Sequence, residues 1–117
     1  MIVQEFMPQI RAGEFALVFF GDRFSHALHR TAAVGDFRVN SQYSGSMALA
    51  SAVDPGAIRL GSHVLSLLGE PPTYARIDVV GSGDDVTLME VEVNEPALGL
   101  DLAPGSAARF ADAVLAE

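Results

Sequence analysis

Residues 74–94, YARIDVVGSGDDVTLMEVEVN, decide how this chain is read. Two runs of β-prone residues, Thr73–Val80 and Thr87–Asn94, flank the turn-rich GSGDD, so the stretch predicts a β-hairpin. Side chains alternate along a strand. Tyr74, Arg76, Asp78 and Val80 therefore share one face, and Ala75, Ile77 and Val79 the other. On the return strand Leu88, Glu90, Glu92 and Asn94 share a face, opposite Thr87, Met89, Val91 and Val93. A turn centred on Asp84, Asp85 and Val86 sets Asp78 across from Glu92 and Arg76 across from Asn94. A wider loop over 81–85 sets Arg76 across from Glu90. Either register gathers three carboxylates within about 5–8 Å, where they repel. Arg76 is one compensating cation and a hard divalent ion is another; carboxylate and amide oxygens suit Mg²⁺, with Mn²⁺ as a substitute. A solvated sheet face carrying alternating Glu is the plainer reading of periodicity alone.

Outward from the hairpin, Glu14–Phe20 and Arg23–Arg30 around Gly21-Asp22 predict a second hairpin. Its return strand sets Phe24, His26, Leu28 and Arg30 on one face and Ser25, Ala27 and His29 on the other. Ile2–Phe6 and Phe37–Asn40 are short strand candidates, and 41–46 (SQYSGS) reads as a loop. Asp54-Pro55 opens a helix, with Ile58, His63 or Val64, Leu65 and Leu68 as its apolar stripe and Gly69 with Pro71-Pro72 as its stop. Residues 96–102 form an apolar connection, and Pro104 opens a last helix. The fold class is α+β: an antiparallel sheet with two main helices, in one domain over 1–117.

Composition narrows the chemistry. The 117 residues carry 7 basic and 15 acidic side chains, a formal charge of −8, and every basic residue is Arg. Without clustered positive charge, neither nucleic acid nor an anionic membrane is an expected partner. With no Lys there is no Schiff base, and with 0 Cys there is no thiolate nucleophile or Cys-ligated zinc. His26, His29 and His63 read as structural residues without metal-ligand spacing. No Ser sits in a nucleophile elbow. The N-terminal residues lack a basic start followed by an apolar run, and the longest apolar runs are too short to span a bilayer, so a cytoplasmic domain is expected.

The order Arg76-Ile77-Asp78, hairpin, Glu92-Val93-Asn94, Pro96 resembles the C-terminal lobe of the ATP-grasp superfamily. In D-alanine–D-alanine ligases, and in ligases that add glutamate to a ribosomal protein, such Asp, Glu and Asn residues hold the magnesium ions of ATP. EFALVFFGDRFSHALHR (14–30), GDFRVN (35–40) and LMEVEVNEPALGLDLAPGSAARFADA (88–113) resemble more specifically the branch similar to glutathione synthetase and to cyclo-ligases of the cycloserine-pathway type. The resemblance covers nearly the whole chain. Glu90-Val91-Glu92 can fill the same two positions as Glu92-Val93-Asn94, so Glu90 stands as a substitute ligand.

The resemblance implies Asp78, Glu92, Asn94 and Glu90 as metal ligands, and Arg76 and Arg38 as catalytic residues that neutralise a transferring phosphoryl group. It implies Glu5 and Phe6 as a hinge meeting ribose and adenine, and Glu14 and Asn40 as residues facing nucleotide or acceptor. ATP and Mg²⁺ are the implied cofactors. The partners are a nucleotide, a small-molecule carboxylate and the remainder of the enzyme. A carboxylate is phosphorylated and the acyl-phosphate is then attacked by an amine or similar nucleophile. The lysine-bearing first ATP-binding lobe and an N-terminal substrate domain are absent, so the chain is expected to be a fragment, inactive alone. Asp78→Ala is expected to abolish turnover and leave the fold intact. The alternative is a non-catalytic domain that homodimerises through an apolar lobe surface such as 96–102.

Overall fold

The computed structural model describes residues 13–31, 46–81 and 83–116. Five strands and two helices follow in the order β1 (Glu14–Phe20), β2 (Arg23–Thr31), β3 (Ser46–Leu49), α1 (Pro55–Ser66), β4 (Tyr74–Val80), β5 (Thr87–Glu92) and α2 (Ser106–Leu115). The strands form one sheet, ordered β3-β2-β1-β4-β5, with every neighbouring pair antiparallel. The sheet and its two helices give the expected α+β architecture. No helix among the described residues is long and apolar enough to cross a membrane. Ile2–Phe6 and Phe37–Asn40 lie outside the described residues. β3, which the sequence does not announce, pairs through Leu28↔Leu49 and Arg30↔Met47.

β1 is the central strand, and its sequence shows why. EFALVFF is apolar on both faces, as befits a strand covered on both sides. Ala16, Leu17, Val18 and Phe19 are fully buried. One face joins Leu17, Phe19, Ala27, Ala75, Ile77 and Val79 to Ala57 and Leu65 of α1. The helix presses with Ala57, Gly61 and Leu65, a stripe displaced from the Ile58–Leu68 series suggested by hydropathy. Small residues bring α1 close: a Cβ on Gly61 would lie 2.9 Å from the Phe19 ring. Asp54 caps α1 by accepting from Gly56 N at 2.8 Å, and its other oxygen accepts from Gly83 N in the β4–β5 turn. Those bonds, to Gly83 first and then Gly56, hold its carboxyl below the usual range.

The opposite face is covered by residues 96–102 and by α2. Pro96 is buried, and Leu98, Leu100 and Leu102 are half-buried. Gly99, at φ 62°, lies where a Cβ would stand 2.5 Å from Leu28 Cδ1. Phe110 of α2 packs on Phe20 and Tyr74, with ring centroids 5.6 and 5.8 Å apart. α2 begins at Ser106, after Gly105 in the left-handed region, two residues later than Pro104 suggests.

Two bulges break the alternation. In β1–β2 the register steps from Val18↔His26 to Phe19↔Phe24, leaving Ser25 as the extra residue. In β4–β5 it steps from Asp78↔Glu90 to Val79↔Leu88, leaving Met89 extra. An inserted residue turns the chain beyond it to the other face. Phe24 therefore joins Phe19 edge-on at 5.7 Å, away from His26. Leu88 joins Val79 on the α1 face, away from Glu90.

Candidate active site

The β4–β5 register falls between the two readings of the hairpin: Arg76 opposes Glu92 and Asp78 opposes Glu90. The Met89 bulge produces this intermediate register. On the other side of β4, Ala16 of β1 opposes Asp78, and Glu14 opposes Arg30 across β1–β2. Strand pairing thus sets Arg76, Asp78, Glu90, Glu92, Glu14 and Arg30 on one sheet face.

Asp78 is 0% exposed and is the hub. Arg76 donates to it through Nε and Nη2, both at 3.0 Å, a two-pronged bond suited to the planar guanidinium. Arg76 Nη2 also lies 2.9 Å from Glu92 Oε2 and 3.9 Å from Glu90 Oε2, and Nη1 donates to the Ala97 carbonyl at 3.3 Å. Arg30 Nη2 stands 3.5 Å from Asp78 Oδ2 and 3.6 Å from Glu14 Oε2. The short side chain of Ala16, beside Asp78 in the register, leaves Arg30 that approach.

Four carboxylates against two guanidinium groups leave the cluster negative, and the titration behaviour follows. Glu14 is pushed up to about 7, by burial first and then by Asp78, with Arg30 opposing. Glu90 is also raised, by burial first and then by Asp78, with Arg76 opposing. For Arg76, burial acts to lower the pKa, but Asp78, Glu92 and Glu90 together outweigh it, so its charge is secured.

Of the residues singled out in the sequence, Arg76, Asp78, Glu90, Glu92 and Glu14 are brought together. Asn94 lies exposed, two residues past the end of β5. Glu5, Phe6, Arg38 and Asn40 lie outside the described residues. Arg30 was missed. Alternation put it on the His26–Leu28 face, but only the position of β1 between β2 and β4 shows that this face continues to Asp78.

Carboxylate oxygens are hard donors, and the Glu90 and Glu92 side chains are 54% and 31% exposed, so both reach solvent. Arg30 Nε is buried and has no hydrogen-bond partner among the described residues. Among the described residues, no group of three His, Cys, Asp or Glu side chains is placed to hold a metal ion. The arginines hold the carboxylates instead.

The family model for the ATP-grasp domain of prokaryotic glutathione synthetase matches residues 1–102. The chain belongs to this family. It is 31% identical over 105 residues to a probable alpha-L-glutamate ligase of Parasynechococcus marenigrum (strain WH8102), covering 90% of this chain and 22% of that protein. Among solved structures, D-cycloserine synthetase DcsG aligns over 95% of this chain and 40% of its own, at 25% identity and a TM-score of 0.76. D-alanine–D-alanine ligase from Bacillus anthracis, complexed with ATP, shares the fold at a TM-score of 0.61 and 15% identity, over 89% of this chain and 37% of its own. This ATP-grasp chain therefore spans between about a fifth and two-fifths of the length of these proteins.

Proposed function

We propose that this chain is the Mg–ATP-binding C-terminal lobe of an ATP-dependent carboxylate–amine or cyclising ligase. The observation that carries the reading is the meeting of Arg76, Asp78, Glu90 and Glu92 on one sheet face in an ATP-grasp chain. Glu90 and Glu92, with Asp78 behind them and Asn94 at the strand end, would hold Mg²⁺. When bound, the ion would supply charge neutralisation for the transferring phosphoryl group.

In the reaction, a carboxylate oxygen of the substrate attacks the γ-phosphorus and ADP departs. An amine then attacks the acyl carbon, phosphate leaves and the amine loses a proton. No protein nucleophile is needed, so the chain acts by positioning and by countering charge. Arg76, held by Asp78 and Glu92, presents a fixed guanidinium to the transferring group. Arg38 is proposed to assist at the phosphoryl group, Asn40 at the acceptor, and Glu5, Phe6 and Glu14 at the nucleotide, with the first lobe supplying the missing lysines. The whole enzyme is proposed to act in the cytoplasm on a small-molecule carboxylate.

Paramagnetic Mn²⁺ tests the site in the ¹⁵N-labelled 117-residue chain. Low Mn²⁺ concentrations should selectively broaden the amide signals of Asp78, Glu90 and Glu92, and Glu90→Gln with Glu92→Gln should abolish the effect. Broadening centred elsewhere, or surviving in the double variant, would count against the reading.

A further inference from the structure

The Ser25 hydroxyl, on the extra residue of the β1–β2 bulge, lies 2.7 Å from His26 Nδ1 and accepts from Arg109 Nε at 3.0 Å. His26 Nε2 lies 2.7 Å from the Leu98 carbonyl. Burial holds the His26 pKa below its ordinary value, so at neutral pH the ring carries one N–H. A carbonyl only accepts, so Nε2 carries that proton and Nδ1 accepts from Ser25. The bonds form one directed chain, from Arg109 of α2 through Ser25 and His26 of β2 to Leu98. The carbonyl before it, on Ala97, accepts from Arg76 Nη1 at 3.3 Å. Two successive carbonyls are thus held, one by His26 and one by Arg76.

We propose that His26 is a positioning residue for Arg76. It fixes the Ala97–Leu98 stretch, so that the Ala97 carbonyl holds the side of the guanidinium that Asp78 and Glu92 do not reach. Asp78 engages Nε and Nη2, and Glu92 engages Nη2, which leaves Nη1 to the Ala97 carbonyl. A guanidinium held on both edges cannot rotate about its last side-chain torsion without losing a bond. The Ser25–Arg109 end sets the plane of the imidazole, as a carbonyl or carboxylate does for many functional histidines. The consequence for phosphoryl transfer rests on the ligase reading; the positioning itself does not.

His26 also packs near Phe20, with ring centroids 6.2 Å apart, so a purely structural role must be separated. His26→Phe keeps an aromatic ring and removes both hydrogen bonds. His26→Gln keeps an N–H that reaches the Leu98 carbonyl. In the chain labelled with ¹⁵N-Arg, His26→Phe should shift the Arg76 Nε–H signal and speed its solvent exchange about 5-fold, the effect of one lost hydrogen bond. His26→Gln should restore the parent shift. Arg76 unchanged in folded His26→Phe, or as perturbed in His26→Gln as in His26→Phe, would overturn the proposal. If His26→Phe does not fold, Ser25→Ala with Arg109→Gln keeps the imidazole but removes the Nδ1 partner that fixes its plane. That double variant should move the Arg76 signal in the same direction, and an unmoved signal would equally overturn the proposal. The readout needs no metal or nucleotide. Loss of the His26 effect leaves the ligase reading standing, and loss of the Mn²⁺ response leaves this one standing.

Discussion

Replacing Asp78 by Ala removes the carboxylate on which two guanidinium groups converge. The family resemblance alone makes this a change that abolishes turnover and spares the fold. Burial alters the expectation. Asp78 is 0% exposed and Arg76 only 7%. Arg76 donates to it twice at 3.0 Å, and Arg30 lies 3.5 Å away. Removing one member of a buried ion pair costs about 3–5 kcal/mol, because the other charge is left desolvated. Arg76 retains Glu92 at 2.9 Å and Arg30 retains Glu14 at 3.6 Å, which limits the loss. The lower end, about 3 kcal/mol, is therefore expected. Against a total stability of about 5–15 kcal/mol the variant still folds. Its urea midpoint should fall by roughly 1–2 M and its Tm by roughly 10–15 °C. Asp78→Asn, which keeps an acceptor and loses the charge, should fall between variant and parent. Glu14 should titrate lower in Asp78→Ala, yet stay above the ordinary range, because burial is its first cause and Asp78 its second. Urea unfolding followed by circular dichroism, with ¹³C carboxyl titration, reads both effects. A midpoint within about 0.3 M of the parent would mean that the guanidinium groups remain hydrated in the folded chain, and the buried-cluster reasoning would be wrong.

Glu14 makes stability depend on pH. Its folded pKa, about 7, lies above the unfolded value of 4.5, so the folded state holds the proton more tightly. The contribution is fully present below about pH 4.5 and is lost as pH rises through 7. Urea midpoints of the parent should therefore decline across that window, and Glu14→Gln should flatten the decline; equal slopes in the two proteins would refute the assignment. Gly61→Ala sets two effects against each other. An Ala inside a helix gains about 1 kcal/mol over Gly. The new Cβ would lie 2.9 Å from the fully buried Phe19 ring, and overpacking costs about 1–3 kcal/mol. Net destabilisation of up to about 2 kcal/mol is expected, and a raised Tm would show that α1 has room to retreat.

Much of this protein is written locally. The β1–β2 and β4–β5 pairs, the Asp54 cap with Pro55 and the stop of α1 all rest on turn chemistry, capping and apolar runs within a few residues of one another. The polar face of β4 follows from alternation alone, and with it the grouping of Arg76 and Asp78 with Glu90 and Glu92. Three features were decided only by tertiary structure. The bulges at Ser25 and Met89 shift the register by one residue, which sends Phe24 and Leu88 to the α1 face and pairs Asp78 with Glu90. No local signal marks them, because a strand with and without an extra residue has the same propensity. Strand order is the second: β1 lies between β2 and β4, and this brings Arg30 and Glu14 to a carboxylate 48 residues beyond Arg30. The third is the balance of charge. Alternation shows that acidic groups are neighbours, but burial decides that Asp78 is held by arginines while Glu90 and Glu92 keep an open side. Spacing is a property of the chain, whereas desolvation is a property of everything packed around it.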